Sequence, residues 1–185
     1  MAILPVRIYG DPVLRQSAAE VKSFDDSLLG LVADLRDTMH AYHGVGLAAN
    51  QVGVLERVLV VDVPLDEEGV SRASHALVNP VILERSSFQT DEEGCLSIPG
   101  INEDVTRALK VRVRYQDEAG RSTTLEAEGY LARAIQHEVD HLDGVLFVDR
   151  LSPLKRQFLR RALDSLAQGE LPEGYAPPLG HRGAY

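Results

Sequence analysis

The sequence predicts an α+β fold: antiparallel β-sheets packed around a central helix that bears His137-Glu138-Val139-Asp140-His141, with one helix near the N-terminus and another near the C-terminus. Three observations predict it. Apolar residues recur at three- and four-residue steps in three separate stretches, the mark of amphipathic helices. The strand-like runs follow one another between the first two of these stretches, without the alternation of βαβ units. A length of 185 residues suffices for one core and is short for two.

Ser23 to His43 places Leu28, Leu29, Val32, Leu35 and Met39 along one stripe, with Ser23 or Asp25 able to cap the start, and reads as the first helix. Gly44-Val45-Gly46 breaks it. Arg57 to Val63 contains the apolar run VLVVDV and reads as a strand ended by Pro64. Leu65 to Ser74 is polar and reads as a loop. Ala76 to Glu84 is a further strand, in which Pro80 points to an edge or a bend. Cys95 to Ile98 is a short apolar stretch closed by Pro99-Gly100.

Leu109 to Gln116 alternates, with Val111, Val113 and Tyr115 on one side and Lys110, Arg112 and Arg114 on the other, so it reads as a half-buried strand. Asp117 to Gly120 turns, and Ser122 to Ala127 returns as the second arm of a hairpin. Gly129 to Leu142 is the second helix, with Leu131, Ala134, Ile135, Glu138 and Leu142 near one face and Gly144 as its stop. Leu154 to Leu166 is the third. Beyond Gly169 the chain is rich in Gly and Pro. The expected organisation is a single catalytic domain over 1–168 and a loosely held C-terminal extension over 169–185.

A formal net charge of −9 argues against broad electrostatic binding to DNA or to anionic lipid. No apolar run approaches the ~20 residues that a membrane helix needs, and the first residues lack a signal-type apolar core. The expectation is a cytoplasmic protein without membrane or DNA partners. A single cysteine forms no internal disulfide and would ordinarily be a small buried hydrophobe.

The chemistry lies in His137-Glu138-Val139-Asp140-His141. Residues four apart share one helix face, so two imidazoles reach one ion while Glu138 projects toward the same space. A catalytic ion of this kind takes three protein ligands and keeps one position open. One extension of the motif places a third His after a glycine; here Gly144 fits but Phe147 stands where that His would be. Another uses a later glutamate, and only Glu170 and Glu173 remain, both in the tail. The third ligand is therefore sought upstream, where Cys95 is the best candidate. His40, His43, His75 and His181 read as surface or loop histidines.

Gly44-Val45-Gly46-Leu47-Ala48-Ala49-Asn50-Gln51, Glu93-Gly94-Cys95-Leu96-Ser97 and Gln136-His137-Glu138-Val139-Asp140-His141-Leu142, in this order and spacing, resemble the peptide deformylase family. The resemblance runs from about Ile8 to about Leu166. It implies an enzyme that hydrolyses the formyl group from the N-terminal formylmethionine of nascent proteins and releases formate. It further implies that Cys95, His137 and His141 bind the metal and that Glu138 is the general acid/base. Gln51 and the backbone N–H of Leu96 would stabilise the oxyanion, and Val45, Gly46 and Gly94 would line the cleft. An apolar slot for methionine would fall beside Val45 and Ala134.

The donor set alone suggests zinc. The resemblance implies Fe2+, with Zn2+, Ni2+ or Co2+ as substitutes. Lys155, Arg156, Arg160 and Arg161 on the last helix could meet ribosomal RNA phosphates. Two rival readings are a metallopeptidase and a non-catalytic peptide-binding protein with a structural metal. The second needs a fourth protein ligand, which the sequence does not offer.

Overall fold

The computed structural model describes residues 2–66 and 69–177. Its strands are β1 (Gly46–Ala48), β2 (Val58–Pro64), β3 (Arg72–Cys95), β4 (Ile98–Gln116) and β5 (Ser122–Glu128). Each pairs antiparallel with the next, so they form one five-stranded sheet in chain order. Three helices accompany it: α1 (Asp26–Ala41), α2 (Gly129–Leu142) and α3 (Pro153–Ala167). The α+β class and the central place of the motif-bearing helix are as the sequence predicts.

The apolar run of β2 is explained by burial on both faces. Val58 and Val60 pack with Val32, Leu35 and Met39 of α1, whereas Leu59, Val61 and Val63 pack with Ile135, Val139 and Leu142 of α2. The strand is thus the layer between two helices, and each fully buried aliphatic side chain contributes about 1.5–3 kcal/mol. A third apolar cluster joins Leu163 and Leu166 of α3 to Leu14, Ile98 and Phe147. Asp25, not Ser23, caps α1, its side chain accepting from the N–H groups of Ser27 and Leu28. Among the described residues, no helix is long and apolar enough to cross a membrane.

The largest departure from expectation is the β3–β4 hairpin. The sequence predicts a strand ending at Glu84 and a separate short stretch at Cys95. Instead β3 runs on to Cys95, turns through Leu96-Ser97, and returns as β4. Most of residues 83–92 are exposed, so this part of the strand carries no buried apolar stripe for a pattern to show. Pro80 does bend the chain, but within a central strand: the register shifts between Val78 and Val81, where a ladder without an N–H can be interrupted. The loop after β2 is also shorter than expected, because β3 begins at Arg72. His75 lies half-buried in β3, and His181 is outside the described residues.

The tail is held over its first part. Leu171 packs against the third cluster, and Pro172 lies against Gly100.

Candidate metal centre and catalytic cleft

Two elements meet to form the site. β5 ends at Glu128 and α2 begins at Gly129, whose φ of +61° permits the abrupt turn from strand to helix. α2 then passes under the sheet and presents His137, Glu138 and His141. The long hairpin delivers Cys95 at its end. It is fastened to α2 by Gln89, which donates to the Gly129 carbonyl, and by Arg133, which donates to the Asp91 and Gln89 carbonyls.

Cys95, His137 and His141 come together as expected. Their donor atoms all lie within 4.8 Å of one another. The Nε2 atoms of His137 and His141 are 3.2 Å apart, and Cys95 Sγ is 3.2 Å from His141 Nε2. Burial disfavours charge on both rings. Cys95 and Glu93 outweigh it at His137 and hold that imidazole's pKa well above its ordinary value. His141 falls well below, through burial and then the neighbouring His137. Protonation is thus favoured on one ring and disfavoured on the other, and the S/N/N donor set they form with Cys95 suits a borderline divalent ion. The residues present fit a metal.

Gln51 sits beside the cysteine. Its Oε1 accepts from the Ala48 N–H at 2.9 Å, which turns Nε2 toward Ser97 Oγ at 3.2 Å and Cys95 Sγ at 3.7 Å. Asn50 donates to the His141 carbonyl and so ties the preceding turn to the end of α2. Glu138 is buried, and its Oε2 has no hydrogen-bond partner among the described residues. Burial raises its pKa to about 7, against the opposing fields of His137 and Arg107. Gly46 makes room for it: a Cβ there would lie 2.4 Å from Glu138 Oε1 and 2.9 Å from its Cγ.

Beside these groups lies a cleft of about 320 Å3, and its lining includes Val45, Gly46, Gly94, Leu96 and Ala134. His43 and Tyr130 are among the lining residues that were not foreseen. His43, read as a surface or loop histidine, borders the cleft with a left-handed φ of +57°. Tyr130 borders it from the first turn of α2. Phe147 stacks on His137 with ring centroids 6.2 Å apart, so the residue that fails to supply a third histidine packs against the first.

Sequence reasoning also missed a buried ionic network behind the site. His137 Nδ1 lies 3.0 Å from Glu93 Oε2. Glu93 also accepts from Arg107 at 2.8 Å and from Arg133 at 2.6 Å, and Arg107 reaches on to Asp140 at 2.7 Å. Arg150 closes the chain on Asp140. Burial alone would raise the pKa of Glu93, but the hydrogen bonds from His137 and Arg107 bring it down to about 2. Those pairs likewise hold the Arg107 guanidinium protonated against burial. Helix α2 thus carries a buried charge outside its motif, at Arg133. The available signal was that Arg133 and Asp140 lie seven residues apart, on one face of a buried helix, where each needs a partner.

Comparison with known proteins places these features in a family. Residues 3–157 match the family model for polypeptide deformylase. A peptide deformylase of Alkalilimnicola ehrlichii is 51% identical over 175 residues, covering 94% of this chain and 97% of its own. The crystal structure of a peptide deformylase from Legionella pneumophila superimposes with a TM-score of 0.80 at 43% identity, covering 92% of this chain and 100% of that one. The crystal structure of peptide deformylase from Thermus thermophilus gives a TM-score of 0.82 at 43% identity, over 90% and 98%. With a Cys/His/His group and a buried glutamate facing one cleft, and with relatives matched over nearly their full length, this chain belongs to the polypeptide deformylase family, hydrolases that deformylate nascent peptides.

Proposed function

We propose that Cys95, His137 and His141 hold one catalytic divalent ion and that Glu138 moves the proton as this enzyme removes the formyl group from peptides that begin with formylmethionine. The observation that carries the reading is geometric: three donor atoms converge within 4.8 Å of one another beside Glu138, a buried carboxyl whose Oε2 has no hydrogen-bond partner among the described residues. A carboxyl free of fixed partners at such a place can accept a proton and return it in one cycle.

When bound, the ion supplies Lewis acidity, which lowers the pKa of water to roughly 7. Glu138 takes a proton from the attacking water and later delivers it to the amide nitrogen as the carbon–nitrogen bond breaks. The products are formate and a free amino terminus. Gln51 Nε2, fixed by the Ala48 N–H, and the Leu96 N–H donate to the oxyanion. Glu93 holds His137 through Nδ1 and so leaves Nε2 for the ion. Val45 and Ala134 border the space for the methionine side chain, whose burial contributes about 0.8 kcal/mol per methylene. The resemblance of the three motifs favours ferrous iron as the working ion, with zinc, nickel or cobalt as substitutes.

Of the four basic residues expected on α3, Lys155 is half-buried and paired with Glu103 at 2.7 Å, whereas Arg156, Arg160 and Arg161 are exposed, as are Leu154 and Phe158. A basic face with apolar neighbours supports a contact with ribosomal RNA phosphates. Reversing these charges should weaken association with ribosomes and leave turnover of free peptides unchanged. We read residues 1–168 as the catalytic domain, residues 169–185 as an extension to it, and the cytoplasm as the site of action.

The test is formate release from formyl-Met-Ala-Ser by protein loaded anaerobically with ferrous iron, beside acetyl-Met-Ala-Ser and the Glu138→Ala variant. Release by the wild type alone, and from the formyl peptide alone, is expected. Equal turnover by Glu138→Ala would remove Glu138 from its role.

A further inference from the structure

We propose that residues 171–176 form an outer wall of the peptide cleft, and that the groove they border takes an apolar or aromatic side chain of the substrate downstream of its first residue. The proposal rests on the deformylase reading above and names a determinant of specificity within it. These residues lie past position 157, where the family match ends.

The segment is placed by a series of local contacts. The Glu170 N–H donates to the Ser165 carbonyl at 3.0 Å, and the Glu170 carboxylate accepts from Ser165 Oγ at 2.7 Å. Leu171 packs into the cluster beneath α3. Pro172 then seats on Gly100 of β4 so closely that a Cβ on the glycine would lie 2.9 Å from Pro172 Cγ. The Tyr175 N–H donates to the Pro172 carbonyl at 3.0 Å, closing a turn. This carries Tyr175 and Ala176 to a groove of about 260 Å3, whose lining also includes Tyr42, His43, Leu96 and Pro99.

The groove is continuous with the catalytic cleft, because His43, Cys95 and Leu96 line both. An extended peptide advances roughly 3.3 Å per residue, and because the two spaces share three lining residues, a substrate with its first side chain in the cleft meets the groove with a side chain close downstream. Two tyrosines, a leucine and a proline make that groove a surface for apolar or aromatic side chains rather than for charge.

Formate release by the iron-loaded full chain would be measured on formyl-Met-Ala-Ser, formyl-Met-Phe-Ser and formyl-Met-Ala-Phe. Two variants accompany it: a chain ending at Pro172, which keeps Leu171 and Pro172 in place, and Tyr175→Ala in the full chain. The full chain should prefer at least one phenylalanine peptide by about tenfold in kcat/KM, mainly through KM. Both variants should lose most of that preference and retain turnover of formyl-Met-Ala-Ser within about twofold. If truncation prevents folding, Tyr175→Ala alone decides. Absence of a preference in the full chain, its survival in the folded variants, or an equal gain on all three peptides would overturn the proposal. No formate from any peptide by the full chain would instead overturn the functional reading itself.

Discussion

Glu93 and Glu138 are two carboxyls on either side of His137, equally withdrawn from water at 6% and 4% exposure. Their acidities are pushed apart, to about 2 and about 7. Burial raises both. The difference is partnership: Glu93 meets His137, Arg107 and Arg133, whereas Glu138 has Gly46 close against Oε1 and, among the described residues, no hydrogen-bond partner at Oε2. The same residue type, buried in both places, is held as an anion in one and raised toward neutrality in the other, the state that the role proposed for Glu138 calls for. Burial alone therefore says little about what a carboxyl does. Four predictions test or extend the contrast.

The largest effect is expected at the unpartnered carboxyl. Glu138→Gln should lower kcat by about a thousandfold or more, within the range typical of lost acid/base help. Its melting temperature should hold or rise, because no buried partner is stranded. Turnover within tenfold of wild type, or a large fall in melting temperature, would break the contrast from the Glu138 side.

Glu93→Gln should behave in the opposite way. It leaves Arg107 and Arg133 buried without their shared anion and removes the Nδ1 partner of His137. Breaking a buried pair by removing one member costs about 3–5 kcal/mol, and losing such a partner to a ligating histidine weakens metal binding by about 10–100-fold. Denaturant melts and metal titration would measure the two. A variant as stable as the wild type would show that the network does not hold Glu93 as an anion.

Gly46→Ala probes how closely Glu138 is confined. The added methyl would press on Oε1 and also on Cγ, which lies nearer the helix and has less freedom to move. A displacement of about 1 Å in such a group can cost about a hundredfold in rate. The variant should therefore fold, bind metal and turn over about a hundredfold more slowly. Unchanged kcat would mean that Glu138 relaxes without loss.

The legibility of the site divides along the same line. Helix α2 could be read to its bounds because its apolar period is 3.6 and glycines stand at both ends. The Cys/His/His group could be read because few residue types hold metal. The hairpin arms at 85–95 and 98–108 could not: the first is mostly exposed and carries no apolar stripe, and the second buries Ile101 and Val105, four residues apart, together with a charged Arg107, which hides the alternation of a strand. Arg107, Arg133, Asp140 and Arg150 were missed for a related reason: a charge on a sequence reads as surface until a partner is known, and these partners come from β3, β4, α2 and the turn after it. The pKa of Glu138 was the least legible property, because it depends on which groups fail to reach it.

Asp62 provides the smallest effect and the finest test. It lies on β2, accepts from Arg72 Nε at 2.8 Å, and has His40 Nε2 at 2.8 Å from its other oxygen. Burial raises its pKa, but the hydrogen bonds from Arg72 and His40 outweigh this and hold it below the ordinary value of 3.8. It is thus partnered like Glu93, yet Arg72 and His40 are largely in water, where screening weakens the pair. A carboxyl with a depressed folded-state pKa stabilises the fold above its unfolded pKa and loses that contribution as pH falls through the folded value. Asp62→Asn should therefore cost about 0.2–1 kcal/mol at pH 7, and the two proteins should converge on acidification below about pH 4. Denaturant melts across this range would decide. A gap that persists unchanged at low pH would mean that Asp62 contributes through shape rather than charge. A gap at pH 7 as large as that expected for Glu93→Gln would mean that partnership, and not depth, sets the strength of such pairs.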